Sequence, residues 1–206
     1  MTAHQAAHDH GHGESLDLRK LGMWIFLSSE VIFFGALIIT FLVYKARVGH
    51  LPIGELHSAH EALNINITSL ITFILLSSSL TMVLALSAIQ RDRLTEGKLW
   101  LLATAILGSA FVGMQAFEYI ELVHEGVTIA GSLYGSAFYT LTGFHGTHVF
   151  IGVIMLLATL GMTQSGHFNA KNYLGVEIVG LYWHFVDLVW LVIFTFVYLI
   201  PPAGLS

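Results

Sequence analysis

Five ionisable side chains lie well inside stretches of sequence that are otherwise almost entirely apolar. They are Glu30, His145, His148, His184 and Asp187. His145 and His148 are three residues apart, so on a helix they would share one face. Ionisable groups in apolar segments are costly and therefore mark either a functional site or a polar contact between helices. Histidines on facing helices could also bind a metal ion or a heme.

The elements that must position these groups are five long apolar stretches. Each is near or above the roughly 20 helical residues that cross a bilayer, and their continuous apolarity is typical of helices rather than of alternating barrel strands. The sequence therefore predicts an all-α integral membrane protein, a bundle of five transmembrane helices. The stretches are 21–44, 65–89, 99–117, 137–162 and 176–199.

The composition supports a membrane protein and excludes several other classes. The chain has 206 residues, of which 55% are hydrophobic and only 10% charged, and its mean hydropathy is +0.76. A soluble domain carries about 25% charged residues. The net charge of -5 offers no basic surface for nucleic acid, and the absence of cysteine excludes disulfides and thiolate sites.

The basic residues predict the orientation of the bundle. Six of the eight fall on the side of the N-terminus, against Lys45 and Arg47 on the other side. By the positive-inside rule the N-terminus is expected in the cytoplasm and the C-terminus outside. Residues 1–17 are expected to form a flexible tail, and 18–206 a single domain. The six are Arg19, Lys20, Arg91, Arg93, Lys98 and Lys171.

Two further groups of histidines lie outside the apolar stretches. Each is interpreted as a solvated segment, with a metal-binding tract as the alternative. The tail lacks the rigid ligand spacing that a defined metal site needs. The tail contains His4, His8, His10 and His12, and the loop before the second stretch contains His50, His57 and His60 with Glu55 and Glu61.

Depth along the stretches separates the buried groups. Counted from the inner ends, Glu30, His184 and Asp187 lie nine, eight and eleven residues deep, whereas His148 and His145 lie fourteen and seventeen deep. At about 1.5 Å per residue, His148 would be roughly 9 Å from the level of His184, which disfavours a bis-histidine heme. The same count predicts a hydrogen-bonded cluster of Glu30, His184 and Asp187. Such a cluster could hold helices together or relay protons.

Other side chains are candidates for contacts near the ends of the helices or between them. Glu118, Glu121 and Glu177 lie near helix ends. Trp183 and Trp190 lie too deep for an interfacial belt and are expected to pack against a neighbouring helix or a lipid tail. Small residues favour close helix approach. They are Ser109 with Gly113 in the third stretch, and Gly143, Gly146 and Gly152 in the fourth.

Two motifs make the sequence resemble a known family. The stretch 142–149 (TGFHGTHV) and the stretch 182–187 (YWHFVD) strongly resemble subunit III of the heme–copper terminal oxidases. Shorter matches follow the same order as in that family, and the resemblance covers about 18–198 of the chain. The shorter matches are GM at 22–23, SEV at 29–31, LN at 63–64, QA at 115–116, EY at 118–119 and YGS at 134–136.

This resemblance implies a non-catalytic subunit of a proton-pumping respiratory oxidase in the bacterial cytoplasmic membrane. Heme and copper are expected in the partner subunits and no cofactor on this chain. The chain is expected to pack against subunit I, in a complex with subunit II and small subunits, to support proton uptake and to bind phospholipid. Cytochrome c is the expected electron donor. A quinol oxidase subunit III is the first alternative, and an independent membrane heme protein or transporter is the second.

The family pattern also gives roles to single residues. Glu30 matches its buried carboxyl, and the resemblance implies structural rather than ligand roles for the four other buried groups. Two departures stand out: the first two of the seven helices of mitochondrial members are missing, and Met162 stands where relatives carry an arginine. A lipid phosphate would therefore need another donor, such as His167 or Lys171.

Overall fold

The computed structural model describes residues 18–48, 65–124, 126, 128–131 and 133–200. Both groups of histidines outside the apolar stretches, in the tail and in the loop before the second helix, fall outside these residues. The described part is helical apart from short connections. Its elements are α1 (Leu18–Val48), α2 (Ile65–Gln90), α3 (Leu94–His124), α4 (Leu133–Gln164), α5 (Leu174–Phe194) and a π-helical turn (Thr195–Leu199) that continues α5.

All five helices are long and apolar enough to cross a membrane, which confirms the predicted number of spans. The helices extend beyond the apolar stretches, most clearly in α3, which has 31 residues. At 1.5 Å per residue such a helix is about 46 Å long, which matches a bilayer with its headgroup regions. The backbone stays helical where side chains turn polar, because helical hydrogen bonds do not depend on side-chain polarity.

The helices form one bundle in which α4 and α5 each pack against three other helices. Helix α5 packs against α1, α2 and α4, while α3 packs against α2 and α4. Only residues 91–93 connect α2 to α3, so these two helices are antiparallel neighbours. Large apolar side chains on the outer faces, such as Ile32 and Phe73, remain exposed, as expected for helices surrounded by lipid or by other subunits.

Trp183 of α5 fixes the register of three helices. Its ring fills a notch opposite Gly108 of α3 and Gly152 of α4, where an added Cβ would lie 2.4 and 2.8 Å from ring carbons. Its Nε1 donates a hydrogen bond to Ser78 Oγ on α2, at 2.9 Å. The expected close approach through Gly152 is thus confirmed. The approach expected at Gly113 is wrong, because no atom lies within 4 Å of a Cβ placed there.

Candidate functional site

Glu30 of α1 and His148 of α4 form a polar contact between two helices in the interior. Glu30 Oε2 lies 3.2 Å from His148 Nε2, and the two side chains are only 17% and 15% exposed. His148 Nδ1 lies 2.7 Å from the carbonyl oxygen of Phe144. Because a carbonyl only accepts, Nδ1 must carry a proton, and the contact with Glu30 therefore holds one proton between Nε2 and the carboxyl oxygen. With that proton the pair is neutral overall, so neither member is a lone buried charge.

This pairing corrects the hydrogen bonds that we predicted from depth. Glu30 is bonded to neither His184 nor Asp187. His145 of α4 stacks on Trp190 of α5, with ring centroids 4.9 Å apart. Because these helices are antiparallel, His148, three residues after His145, falls level with Asp187, three residues before Trp190. Counting from the ends of apolar stretches assumed that the helices end in common planes, and that assumption misplaced α4.

His184 is held by α2 instead of α1. Its Nδ1 lies 2.6 Å from Ser79 Oγ. Asp187, one turn further along α5, is buried, and neither of its carboxyl oxygens has a hydrogen-bond partner. The hydroxyl of Ser79 on α2 interacts with this carboxyl group. Sequence reasoning missed Ser79, since one serine among several in α2 carries no signal of which neighbour it faces.

His145 is completely buried and is surrounded by aromatic rings. Neither ring nitrogen has a hydrogen-bond partner. Besides Trp190, the rings of Phe111 and Phe34 lie edge-on to it, with centroids 5.8 and 6.4 Å away. Packing therefore holds this histidine. Among the described residues, no group of three or more His, Asp or Glu side chains could hold a metal ion.

The three predicted helix-end carboxylates have different surroundings. Glu118 Oε1 accepts hydrogen bonds from Thr68 at 3.2 Å and from Tyr198 at 3.1 Å, which joins α3 to α2 and to the end of α5. Glu177 pairs with Lys20 at 2.5 Å, which ties the start of α5 to the start of α1. Glu121 is exposed. Two of these carboxylates therefore connect helices.

Lys45 makes a contact that the sequence did not suggest. It is only 4% exposed, and its Nζ donates to the carbonyl oxygens of Phe196 at 2.6 Å, Val197 at 3.3 Å, and Ile200. These carbonyls belong to the π-helical turn and the residue after it, where the helix has no further backbone N–H groups to donate to them. A lysine at the end of an apolar stretch normally indicates a solvated charge, so its sequence context gave no sign of this role.

The structure separates the four candidate lipid-contacting residues into two pairs. Trp183 and Trp190 are 0% and 2% exposed, so they pack against neighbouring helices, and the suggestion that they contact lipid is wrong. Trp190 Nε1 donates to Thr72 Oγ1 of α2 at 3.0 Å. His167 and Lys171 are exposed in the connection between α4 and α5.

Taken together, the fold and these contacts define a class: a multi-pass helical membrane protein in which interior polar side chains join helices of the same chain. Both nitrogens of His148 are engaged, and those of His145 are enclosed by the bundle. Neither histidine therefore presents an open coordination position. The interior can hold a proton at the Glu30–His148 contact and can fix helix positions.

The relatives of the chain identify the family. Residues 3–201 match the family model of cytochrome c oxidase subunit III. The chain is 38% identical over 190 residues to the quinol oxidase subunit 3 of Bacillus subtilis (strain 168), with 91% of this chain and 90% of that protein aligned. It is 37% identical over 184 residues to the cytochrome c oxidase subunit 3 of Bacillus sp. (strain PS3), with 89% and 86% aligned. The cytochrome c oxidase subunit 3 of Thermostichus vulcanus is 34% identical over 193 residues, with 93% and 92% aligned.

The chain therefore belongs to the cytochrome c oxidase subunit III family, as its two long motifs predicted. It is subunit III of a heme–copper terminal oxidase, either a cytochrome c oxidase or a quinol oxidase. Membership in such a complex implies partner subunits.

Proposed function

We propose that this chain is a non-catalytic subunit of a proton-pumping terminal oxidase in the bacterial cytoplasmic membrane, where it stabilises subunit I and supports its proton uptake. Heme and copper belong to the partner subunits in this proposal, and subunit II and small subunits complete the complex. The family match supports a place in the oxidase. The non-catalytic role is supported by the interior polar groups, which bind other helices of the same chain.

The Glu30–His148 contact is the observation that carries the proposal. The ionisable groups of the interior that have polar partners are bound to other helices of the same chain: Glu30 to α4, His184 to α2 and Glu118 to α2 and the end of α5. Groups bound in this way hold the helices that would support a catalytic partner. A carboxyl and an imidazole that share one proton carry no net charge as a pair, which suits a place beside a proton-uptake route.

The substitution Glu30→Ala tests this role in the purified oxidase. We expect normal heme content and a normal initial rate of oxygen consumption, followed by faster loss of activity during prolonged turnover. Glu30→Gln is the matched control, because its neutral amide can still donate to His148 Nε2. Sustained wild-type turnover in Glu30→Ala would refute the stabilising role, and loss of heme would refute the non-catalytic one.

For the electron donor we propose cytochrome c, with quinol as the alternative, since relatives of both kinds match most of the chain. The donor would bind to the partner subunits. The test is oxygen consumption by the purified complex with reduced cytochrome c or with quinol as the only donor. Activity with quinol alone would contradict the proposal.

We propose that phospholipid binds beside the exposed connection between α4 and α5, where His167 and Lys171 could donate to a phosphate. These two side chains would replace the arginine donor that relatives carry where Met162 stands here. Native mass spectrometry of the complex should show less retained phospholipid in Lys171→Ala than in the control Lys98→Ala, which removes a basic residue from the same end of the bundle. Equal lipid retention would argue against the site.

The orientation proposed for the bundle has the N-terminus in the cytoplasm. The sequence places six basic residues at the end of the bundle that holds the N-terminus and two at the other end. Lys45, one of those two, is buried, so the difference in exposed basic residues between the two ends is larger than this count. Since the chain has no cysteine, Ser165→Cys would place a single thiol in the exposed α4–α5 connection. A membrane-impermeant maleimide should label it only from the cytoplasmic side, and labelling of intact cells from outside would reverse the orientation.

A further inference from the structure

A groove runs between α3 and α4 on the outside of the bundle. Its volume is about 260 Å³. We call it the Gln115 groove. The lining residues used below are Gln115, Tyr119, Gly143, Gly146, Thr147 and Phe150.

The Gln115 groove lies inside the hydrocarbon region of the membrane. Gly146 and Thr147 stand between His145 and His148, which belong to the buried polar level, and Gln115 is well inside the 31-residue helix α3. Apolar side chains that are exposed on α4 border the groove, for example Phe150, which is 54% exposed. Lipid headgroups lie at the helix ends and do not reach this depth.

The hydrogen bonds around the groove can be assigned completely. Gln115 Nε2 donates to the carbonyl of Thr142 at 2.9 Å and to Tyr119 Oη at 3.3 Å. Thr142 Oγ1 donates to the carbonyl of Phe138 at 2.8 Å, so Tyr119 must be the donor in its 2.7 Å contact with Thr142 Oγ1. Thr147 Oγ1 donates to Gly143 O at 2.9 Å. Every side-chain donor of these residues is therefore used.

The amide oxygen of Gln115 is an acceptor that has no donor among the described residues. The Gln115 side chain is only 6% exposed, and its Oε1 makes no hydrogen bond with the described residues. Oε1 lies directly over Gly146, where an added Cβ would be 2.7 Å away. The amide cannot be reversed, since the carbonyl of Thr142 only accepts. The groove thus presents acceptors only.

An unpaired amide oxygen in hydrocarbon favours an occupant of the groove that carries a hydrogen-bond donor. An acyl chain has no hydrogen-bond donor. A phosphate or a carboxylate only accepts hydrogen bonds, so it could not donate one to the amide oxygen. A hydroxyl or N–H group on a neighbouring helix would satisfy the oxygen, and glycines are the residues that let a second helix backbone come close in membranes. We propose that the Gln115 groove docks a transmembrane helix of another oxidase subunit, which donates a hydrogen bond from a Ser, Thr, Tyr or Trp side chain to Gln115 Oε1. This inference rests on membership in the oxidase complex and is independent of the stabilising role of Glu30.

Filling the groove provides the first test. At Gly143 an added Cβ meets only Tyr119 Oη, at 3.8 Å, and at Gly161, near the other end of α4, it meets nothing within 4 Å. We expect Gly143→Leu to lower retention of this subunit in the detergent-purified oxidase at least fivefold, and the control Gly161→Leu to behave like the wild type. Equal retention of both variants would overturn the proposal.

Crosslinking provides a second test that does not depend on how well a filled groove folds. Because the chain has no cysteine, Thr147→Cys gives it a single thiol that can carry a benzophenone maleimide in the purified complex. Irradiation should yield a product, absent from the wild-type complex and from Gly161→Cys, that joins this chain to a transmembrane segment of another subunit. Crosslinks to lipid only, or no specific product, would overturn the proposal.

Discussion

The seam between α1 and α4 and the core around α5 hold their polar groups in different ways. In the seam, Glu30 and His148 satisfy each other at 3.2 Å. In the core, both oxygens of Asp187 and both ring nitrogens of His145 have no hydrogen-bond partner. His145 is instead stacked on Trp190, with centroids 4.9 Å apart. The two regions lie at nearly the same depth, so depth does not explain the difference.

The difference shows that two kinds of interaction hold this bundle together. Buried polar groups are nearly always hydrogen-bonded, and the seam follows that rule. In the core, the closely fitting rings of Trp183 and Trp190 fix the helix positions, and their indole nitrogens donate to α2. The polar atoms of His145 and Asp187 beside these rings make no hydrogen bond. Side-chain volume should therefore dominate stability in the core, and hydrogen bonding should dominate it in the seam.

The largest effect is expected from a volume change in the core. In Gly152→Ala the new methyl group would lie 2.8 Å from the fully buried ring of Trp183. Overpacking of this kind costs about 1–3 kcal/mol, and we expect the upper end because the notch has walls on α3 and α4. The measurement is the free energy of unfolding in mixed micelles. Gly161→Ala, which adds a methyl group in open space, is the control, and an equal effect of both would contradict the importance of volume.

A smaller effect is expected from breaking the seam. His148→Leu removes the partner of Glu30, and interhelical hydrogen bonds in membranes contribute about 1–2 kcal/mol at most. In a double-mutant cycle with Glu30→Leu, the double variant should lose less free energy of unfolding than the sum of the single variants. Strict additivity would mean that the 3.2 Å contact contributes nothing.

The smallest effect is expected from removing a carboxyl group that has no hydrogen bond. Replacing such a group with an apolar one of similar size is nearly neutral or stabilising, because its desolvation cost disappears. Asp187→Leu should therefore leave the free energy of unfolding unchanged or raise it by up to about 1 kcal/mol. A loss larger than that of His148→Leu would show that Asp187 has a partner and that the two regions do not differ as described.

The sequence predicted the fold well because length and apolarity are local properties. Five continuous apolar stretches led to five helices, and the positions of Glu30, His148 and Asp187 inside these stretches were visible from their neighbours in the chain. Their partners could not be predicted in this way. The level of His148 relative to α5 depends on how the ring of Trp183 enters the notch at Gly108 and Gly152, which is a property of shape between distant segments.

The partners of His184 and Lys45 show the same limit. Ser79 is bonded to His184 because α2 is a neighbour of α5. The order of the helices around α5 cannot be predicted from the sequence of any single apolar stretch. Lys45 is buried because carbonyls more than 150 residues away are free to accept. Composition and periodicity carry no information about either contact.

The contacts of Lys20 and Lys45 have a consequence for the order of assembly. Both lysines belong to α1, and both bind to α5 or to its π-helical extension, one at each end of the bundle. Helices enter the membrane in the order of synthesis, so α1 inserts before α5. The groups on α5 and its extension that bind Lys20 and Lys45 therefore arrive with the last of the five helices. Until then the ammonium group of Lys45 has none of the carbonyls that bury it. The described bundle therefore closes only after α5 has inserted, and α1 and α5 close it together.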